Sequence, residues 1–366
     1  MGNKMEKKKT VRNSNIELLR ILAIGGVIVL HFNNATIGGG FNHVADNTMK
    51  LYLLYVLESI SICAVDVFIL ISGYFMVESY RRDIKKAVTL LIQVSIFGVV
   101  IYSFRIIFGE AIFSVKGLLG AILPANYFVI LYVVLYIISL YINIICDKLS
   151  FIDLKKMMLI LFFLFSVWPT AVDVLGELSG KEIVGLSSVG AYGSQWGYSL
   201  INFILLYIIG GYLRKCEARG FVSKRFLSFV FLICLGVLVL WARCNDKIGF
   251  FTERSAWEYC NPFVIGEAVC LFLIFAQQKP RYSRLVNYFA EGVFTVFLLH
   301  GVLIAPQFIA GIVNESLPLL VFGYMAYIVC IFAVCMIVHC IYDAITKPIF
   351  NILFKDVKTI KIDVIN

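Results

Sequence analysis

Ten apolar runs, none with more than two charged residues along its length, divide this chain of 366 residues, and no water-soluble core could bury them all. They fall at 16–35, 51–77, 87–108, 126–145, 157–175, 196–213, 226–242, 262–278, 287–308 and 318–342. Most approach the roughly 20 residues that a helix needs to cross the hydrocarbon of a bilayer. Hydrophobic residues make up 61% of the chain, above the roughly half typical of soluble domains. In lipid the backbone must satisfy its own hydrogen bonds. The expected fold is therefore all-α: one polytopic domain over 1–366, a bundle of about ten transmembrane helices, with 1–15 and 346–366 as cytoplasmic tails.

The charges orient that bundle. The stretches before segment 1, between 2 and 3, 4 and 5, 6 and 7, 8 and 9, and after 10 hold 25 of the 32 Lys and Arg, with Arg20 counted in the first. The alternate loops hold only Lys50, Lys116, Lys181, Arg243, Lys247 and Arg254, and Arg105 lies near the outer end of segment 3. Basic loops stay in the cytoplasm, which puts both termini there. The net charge of +9 is then an orientation signal that implies no nucleic-acid partner; its secondary use is contact with anionic membrane lipids. Segment 1 lacks a convincing cleavage site and reads as a retained helix.

Within segment 1, ELLRILAIGGVIVLHFNN carries Arg20 and His31. Eleven helical steps of about 100° return to within roughly 20° of the starting direction and rise about 16 Å. The guanidinium then sits near the cytoplasmic boundary and the imidazole about halfway through a bilayer with roughly 30 Å of hydrocarbon. Ionisable groups at such depth are costly unless they face a bundle interior or a wet cavity, so they mark function by default. Segment 2, AVDVFILISGYFM, adds Asp66 inside an apolar stretch and a small Ser72-Gly73 pair that permits close helix approach. Directly after it, YRRDIKK gathers Arg81, Arg82, Lys85 and Lys86 on the side of Arg20. Such cations suit a phosphate-rich ligand, although part of this charge is expected from topology alone. Glu17, three residues before Arg20, is placed to hold its guanidinium.

The E-L-L-R…H pattern, followed by V-D-x-F-x-x-x-S-G-Y and basic residues, resembles the acyltransferase 3 family of integral membrane, acyl-CoA-dependent O-acyltransferases. NYFVILYVVLYIISLYIN at 126–143, WGYSLINFILLYIIGGYLRK at 196–215 and FTVFLLH at 294–300 extend the likeness over nearly the whole chain. Two departures stand out. The family often places R-x-x-R after segment 2, where this chain has RRDIKK, and a proline common near the end of the fourth segment is missing.

The resemblance implies a multi-pass protein of the bacterial plasma membrane that transfers an acetyl or other short acyl group. The donor would be cytosolic acetyl-CoA, with no metal. The acceptor would be a hydroxyl of an envelope polysaccharide or its lipid-linked precursor. Arg20, Arg81, Arg82, Lys85 and Lys86 would hold the donor's phosphates. His31 would act as general base or as a transient nucleophile, with Asp66 orienting its ring. Ser72 and His300 would support the site.

Other ionisable residues have plainer readings. His339 reads as an interhelical hydrogen-bond residue and His43 as a solvated loop residue, while His300 reads equally as packing or site. Glu58, Glu267 and Glu291 are each as consistent with an interhelical tie as with a site. The ten cysteines form no C-x-x-C pair and no zinc-ligand spacing, and Cys244 and Cys260 share one outer loop. A transporter or exporter without covalent chemistry is the competing class, since buried charges and a polar path serve it equally. Against it, the chain has no internal repeat and no matched pair of broken segments. Oligomeric state is left open.

Overall fold

The computed structural model describes residues 12–45, 48–181, 195–217, 220, 222–248, 253–355 and 359–361. Most of the 1–15 tail and parts of the loops at 176–195 and 243–261 lie outside the described residues.

Each apolar run forms a helix or a broken pair of helices. Run 1 is α1 (Ser14–Asn33). Run 2 is α2 (Met49–Ile62) and α3 (Ala64–Met76), meeting at Cys63. A three-residue strand, β1 (Arg81–Asp83), leads into α4 (Ile84–Ile107), and a short α5 (Val115–Ile122) precedes α6 (Tyr127–Lys148). Run 5 is α7 (Phe151–Phe162) and α8 (Trp168–Ser179), joined through a wider π turn at Phe163–Val167. Pro169, in the first turn of α8, has no N–H for the regular ladder, which accounts for the irregular turn just before it.

Then come α9 (Leu200–Cys216), α10 (Lys224–Ile248), a single turn α11 (Glu253–Ala256) and α12 (Pro262–Ala276). Run 9 is α13 (Arg284–Glu291) and α14 (Val293–Leu303), bent by 56° at Gly292. The chain ends with α15 (Pro306–Asn314), α16 (Leu317–Leu353) and β2 (Thr359–Lys361). Helix starts coincide with side-chain caps. Asn13, Asp83, Asn126, Ser199, Asn261 and Ser283 each accept an otherwise orphaned N–H of the first turn.

Among the described residues, seven helices or continuous helix pairs are long and apolar enough to cross a membrane, and the bent α13–α14 pair would add an eighth. The runs at 196–213 and 262–278 form the shorter helices α9 and α12, of 17 and 15 residues. Two boundaries differ from the sequence reading. Helix α16 runs to Leu353 instead of ending at 342, and the expected C-terminal tail contributes β2, which pairs antiparallel with β1. The protein is an all-α polytopic membrane protein.

Helix α1 is central, packing against α2, α3, α12, α13, α14 and α16. The most apolar windows of α1 and of α2–α3 are 61% and 72% buried, against 17% for α4 and 22% for α16, so the first two spans form the interior and the latter line the perimeter. The tightest crossing joins α3 to α9. A Cβ on Gly73 would lie 2.2 Å from the carbonyl oxygen of Tyr207, and one on Gly210 would lie 2.5 Å from that of Leu70. Small residues allow backbones to approach this closely. Of the two glycines in α1, Gly26 faces Ser61 and Ala64, whereas Gly25 meets nothing within 4 Å.

These contacts give a paired prediction. Gly73→Ala should force α3 from α9 and cost about 2 kcal/mol, by analogy with overpacked cores. Gly25→Ala should be neutral or slightly stabilising. Thermal melting in detergent reads both, and an unchanged melting point for Gly73→Ala would show that the crossing can relax.

Candidate active site

The charged end of the bundle is built from the start of α1, the end of α3, β1, the start of α4 and the end of α13. Glu17, buried one turn before Arg20, sits between two arginines. Arg12 Nε donates to Glu17 Oε1 at 2.9 Å, and Arg20 Nη1 donates to the same oxygen at 3.3 Å. Glu17 thus holds Arg20 as the i,i+3 spacing predicts. Arg12 also reaches Glu291 Oε1 at 3.4 Å, tying α1 to the bend after α13. The sequence reading missed Arg12, whose only signal was its position just before the first helix.

From this end a cleft of about 950 Å³, open mouth included, runs inward along α1. Arg20, Lys86 and Glu291 supply its charges. Its walls are aromatic, from Phe68, Phe128, Phe294 and Phe297. Ser72 and Tyr132 give it a polar patch, their hydroxyls 3.5 Å apart. Val27 lines it from α1, two turns beyond Arg20 on the same face.

His31 stands one turn past Val27, in the last turn of α1. In the frame of its helix it lies near the far end. The loop that follows folds back over it, with Gly38 N donating to His31 O at 2.9 Å. The imidazole is half-buried and meets His300 of α14, with ring centroids 4.5 Å apart, planes 23° apart and His31 Nδ1 2.7 Å from His300 Nε2. His300 is 3% exposed, and its Nδ1 is 3.0 Å from the carbonyl oxygen of Val296. Phe297, one turn before His300 on α14, lines the cleft and contacts the His300 ring. Neither histidine lines the cleft itself; Phe297 connects its wall to the His300 ring.

Asp66 does not join them. It is 0% exposed, neither carboxyl oxygen has a hydrogen-bond partner among the described residues, and it is absent from the cleft lining. Val65, Phe68 and Ser72 present the cleft face of α3, and Asp66 is rotated by about 100° from Val65. The group that meets the His31 ring, the place expected for Asp66, is His300.

The basic cluster also divides. Lys86 lines the cleft, with Nζ 5.4 Å from the centre of the Tyr136 ring. Arg81 is exposed and Lys85 half-buried, both outside the cleft lining. Arg82 is 2% exposed and faces inward. Its Nε donates to Ser139 Oγ at 2.9 Å and Tyr136 O at 3.1 Å, and Nη1 to Ser79 O and Arg81 O at 2.9 Å. Nη2 reaches Ser139 Oγ, Tyr207 Oη and Met76 O. All five of its N–H groups are engaged inside the protein, so Arg82 is a structural tie and not part of the exposed phosphate grip that the sequence reading assigns it.

Of the remaining candidates, His339 and Glu58 are interhelical ties. His339 Nδ1 lies 3.1 Å from Thr295 Oγ1, which also accepts from Gln93. Glu58 accepts from Asn33, and His43 is exposed. Glu267 is fully buried and has no hydrogen-bond partner among the described residues. Cys244 and Cys260 are both free.

Along one helix the geometry sets a cationic mouth toward one end and a histidine pair toward the other, with an aromatic cleft covering part of the distance. The sequence profile of the acyltransferase 3 family, described as an acyltransferase domain, matches residues 13–340, a stretch that contains every residue of this arrangement except Arg12. Neither the curated proteins nor the solved structures contain a match to the chain. With nearly its whole length covered by that profile, the chain belongs to the acyltransferase 3 family and is a membrane acyltransferase.

Proposed function

We propose that the protein moves an acetyl or other short acyl group from cytosolic acyl-CoA to a hydroxyl of a cell-envelope polysaccharide or its lipid-linked precursor, across the bacterial plasma membrane. The observation that carries this reading is the shared face of α1, with Arg20 at one end of an aromatic cleft and His31 beyond the other. The separation, about 16 Å along the axis, suits a donor with an anionic head and a reactive group on a long arm. Arg20 and Lys86 bind the phosphates at the basic, cytoplasmic end. The arm lies between Phe128 and Phe297, which brings the thioester toward His31. The acceptor approaches from the opposite side, and His31 accepts its hydroxyl proton.

The direct test uses purified protein in liposomes, acetyl-CoA labelled in the acetyl group, and envelope polysaccharide as acceptor. Base-labile label in the polysaccharide is expected; transport of polysaccharide without covalent label would replace this reading with the exporter. Within the assay, Arg20→Ala should raise the KM for donor by about 10- to 100-fold, the worth of a charged hydrogen bond, and leave the KM for acceptor nearly unchanged. Arg20→Lys should recover only part, because an ammonium lacks the planar fork. Equal loss for both substrates would remove Arg20 from the donor site.

A further inference from the structure

We infer that His300 is a positioning residue that holds His31 in a single tautomer, with Nδ1 protonated and Nε2 bare. The argument starts from the backbone. The carbonyl oxygen of Val296 can only accept, so His300 Nδ1, 3.0 Å away, carries a hydrogen and donates it. A neutral imidazole has one N–H, which leaves His300 Nε2 with a lone pair. His31 Nδ1 lies 2.7 Å from that lone pair and is therefore the donor of the bond between the rings. By the same count His31 Nε2 is bare. Neutrality of His300 follows from its surroundings: it is 3% exposed, and among the described residues no carboxylate hydrogen-bonds or ion-pairs with either ring. A charge there would be buried without compensation.

A backbone carbonyl thus sets the first tautomer, and the first ring sets the second. The hydrogen-bonded nitrogen of His31 is closed to chemistry, and Nε2 is left to act. The chemical consequence rests on the acyl-transfer reading above. The acceptor's O–H bond breaks as its proton passes to His31 Nε2. Its oxygen bonds to the thioester carbonyl carbon, the carbon–sulfur bond breaks, and the departing thiolate takes the proton from Nε2 to leave as free thiol. While His31 is protonated, its Nδ1–H remains donated to His300, which keeps the ring oriented for the return of the proton. An arrangement with Nε2–H would have no lone pair aimed at the acceptor.

The tautomer belongs to the resting protein and can be read without any reaction. The chain has four histidines. Full-length protein labelled with ¹⁵N-histidine, in lipid bilayers at mildly alkaline pH, should give a His31 signal pair with protonated Nδ1 and bare Nε2, assigned by its loss in His31→Ala. A protonated Nε2 in the wild type overturns the inference, whatever the variants do.

Two substitutions separate acceptance from packing. His300→Gln keeps an acceptor for the Nδ1–H but loses the ring, and His300→Phe keeps the ring stack but loses the acceptor. The expected order is Gln above Phe, with His300→Phe losing about 100-fold in kcat at a nearly unchanged KM and showing mixed His31 tautomers. Phe equal to or above Gln, or an unchanged tautomer in His300→Phe, would reduce His300 to a packing residue. Absence of covalent label with the wild-type protein would instead remove the acyl-transfer reading and leave the resting tautomer standing, so the two failures are distinct.

Discussion

His31→Ala is expected to lower acyl transfer by about 10³- to 10⁴-fold, the upper range for a general base, with membrane abundance close to wild type. The side chain is only half-buried, and its ring packs mainly on His300, so its removal opens little of the core formed by Leu19, Ile24 and Ile28 on the same helix. Turnover of labelled donor by purified protein reads the first effect and the melting point the second. His31→Gln makes a useful companion, since it returns a polar side chain of similar length without a basic nitrogen. Both variants should be inactive to a similar degree. Retention of more than about a tenth of the activity by either would place the base elsewhere, because even a modest general base contributes about 100-fold.

Periodicity within one helix was legible from the chain alone. Arg20, Val27 and His31 share a face because α1 is unbroken from Ser14 to Asn33, and Glu17 meets Arg20 because three residues make nearly one turn. Hydropathy likewise located all ten apolar elements, since residues such as Phe229, Leu232, Phe322 and Met325 remain exposed on the surface and are tolerable only against lipid.

Relations between helices were not legible. The rotation of α3 about its own axis decides that Ser72 lines the cleft and Asp66 does not, and that rotation is set by Gly73 packing on Tyr207, a partner more than a hundred residues away. A buried acid marks a constraint on its surroundings without saying which helix it faces. His300 carried a signal in its FTVFLLH segment, but its meeting with His31 depends on the bend at Gly292. Two adjacent arginines posed the same difficulty in a shorter compass. Nothing local distinguishes Arg81 from Arg82. What separates them is the two-residue alternation of β1, exposed, buried, exposed, and that strand exists because Thr359–Lys361 returns to pair with it.

That difference makes the second large prediction. Arg82→Ala should destabilise the protein by about 2–5 kcal/mol, since each buried acceptor left without its donor costs about 1–3 kcal/mol. The loss would leave Ser139, Tyr207 and the carbonyls of Met76, Ser79 and Tyr136 without their shared donor, where α3, α6 and α9 meet. Asn143 reinforces the same junction, donating to Met76 O and Ser79 O and accepting from Tyr207 Oη, but it cannot replace the guanidinium. Arg82→Lys should recover little, since three donors from one nitrogen cannot span partners on three elements. Arg81→Ala, at an exposed position of the same strand, should stay within about 0.5 kcal/mol of wild type. Melting in detergent and the yield of folded protein measure all three. An Arg82→Ala protein that melts normally yet binds acyl-CoA poorly would return Arg82 to the donor site and show that its internal bonds open when the phosphates arrive.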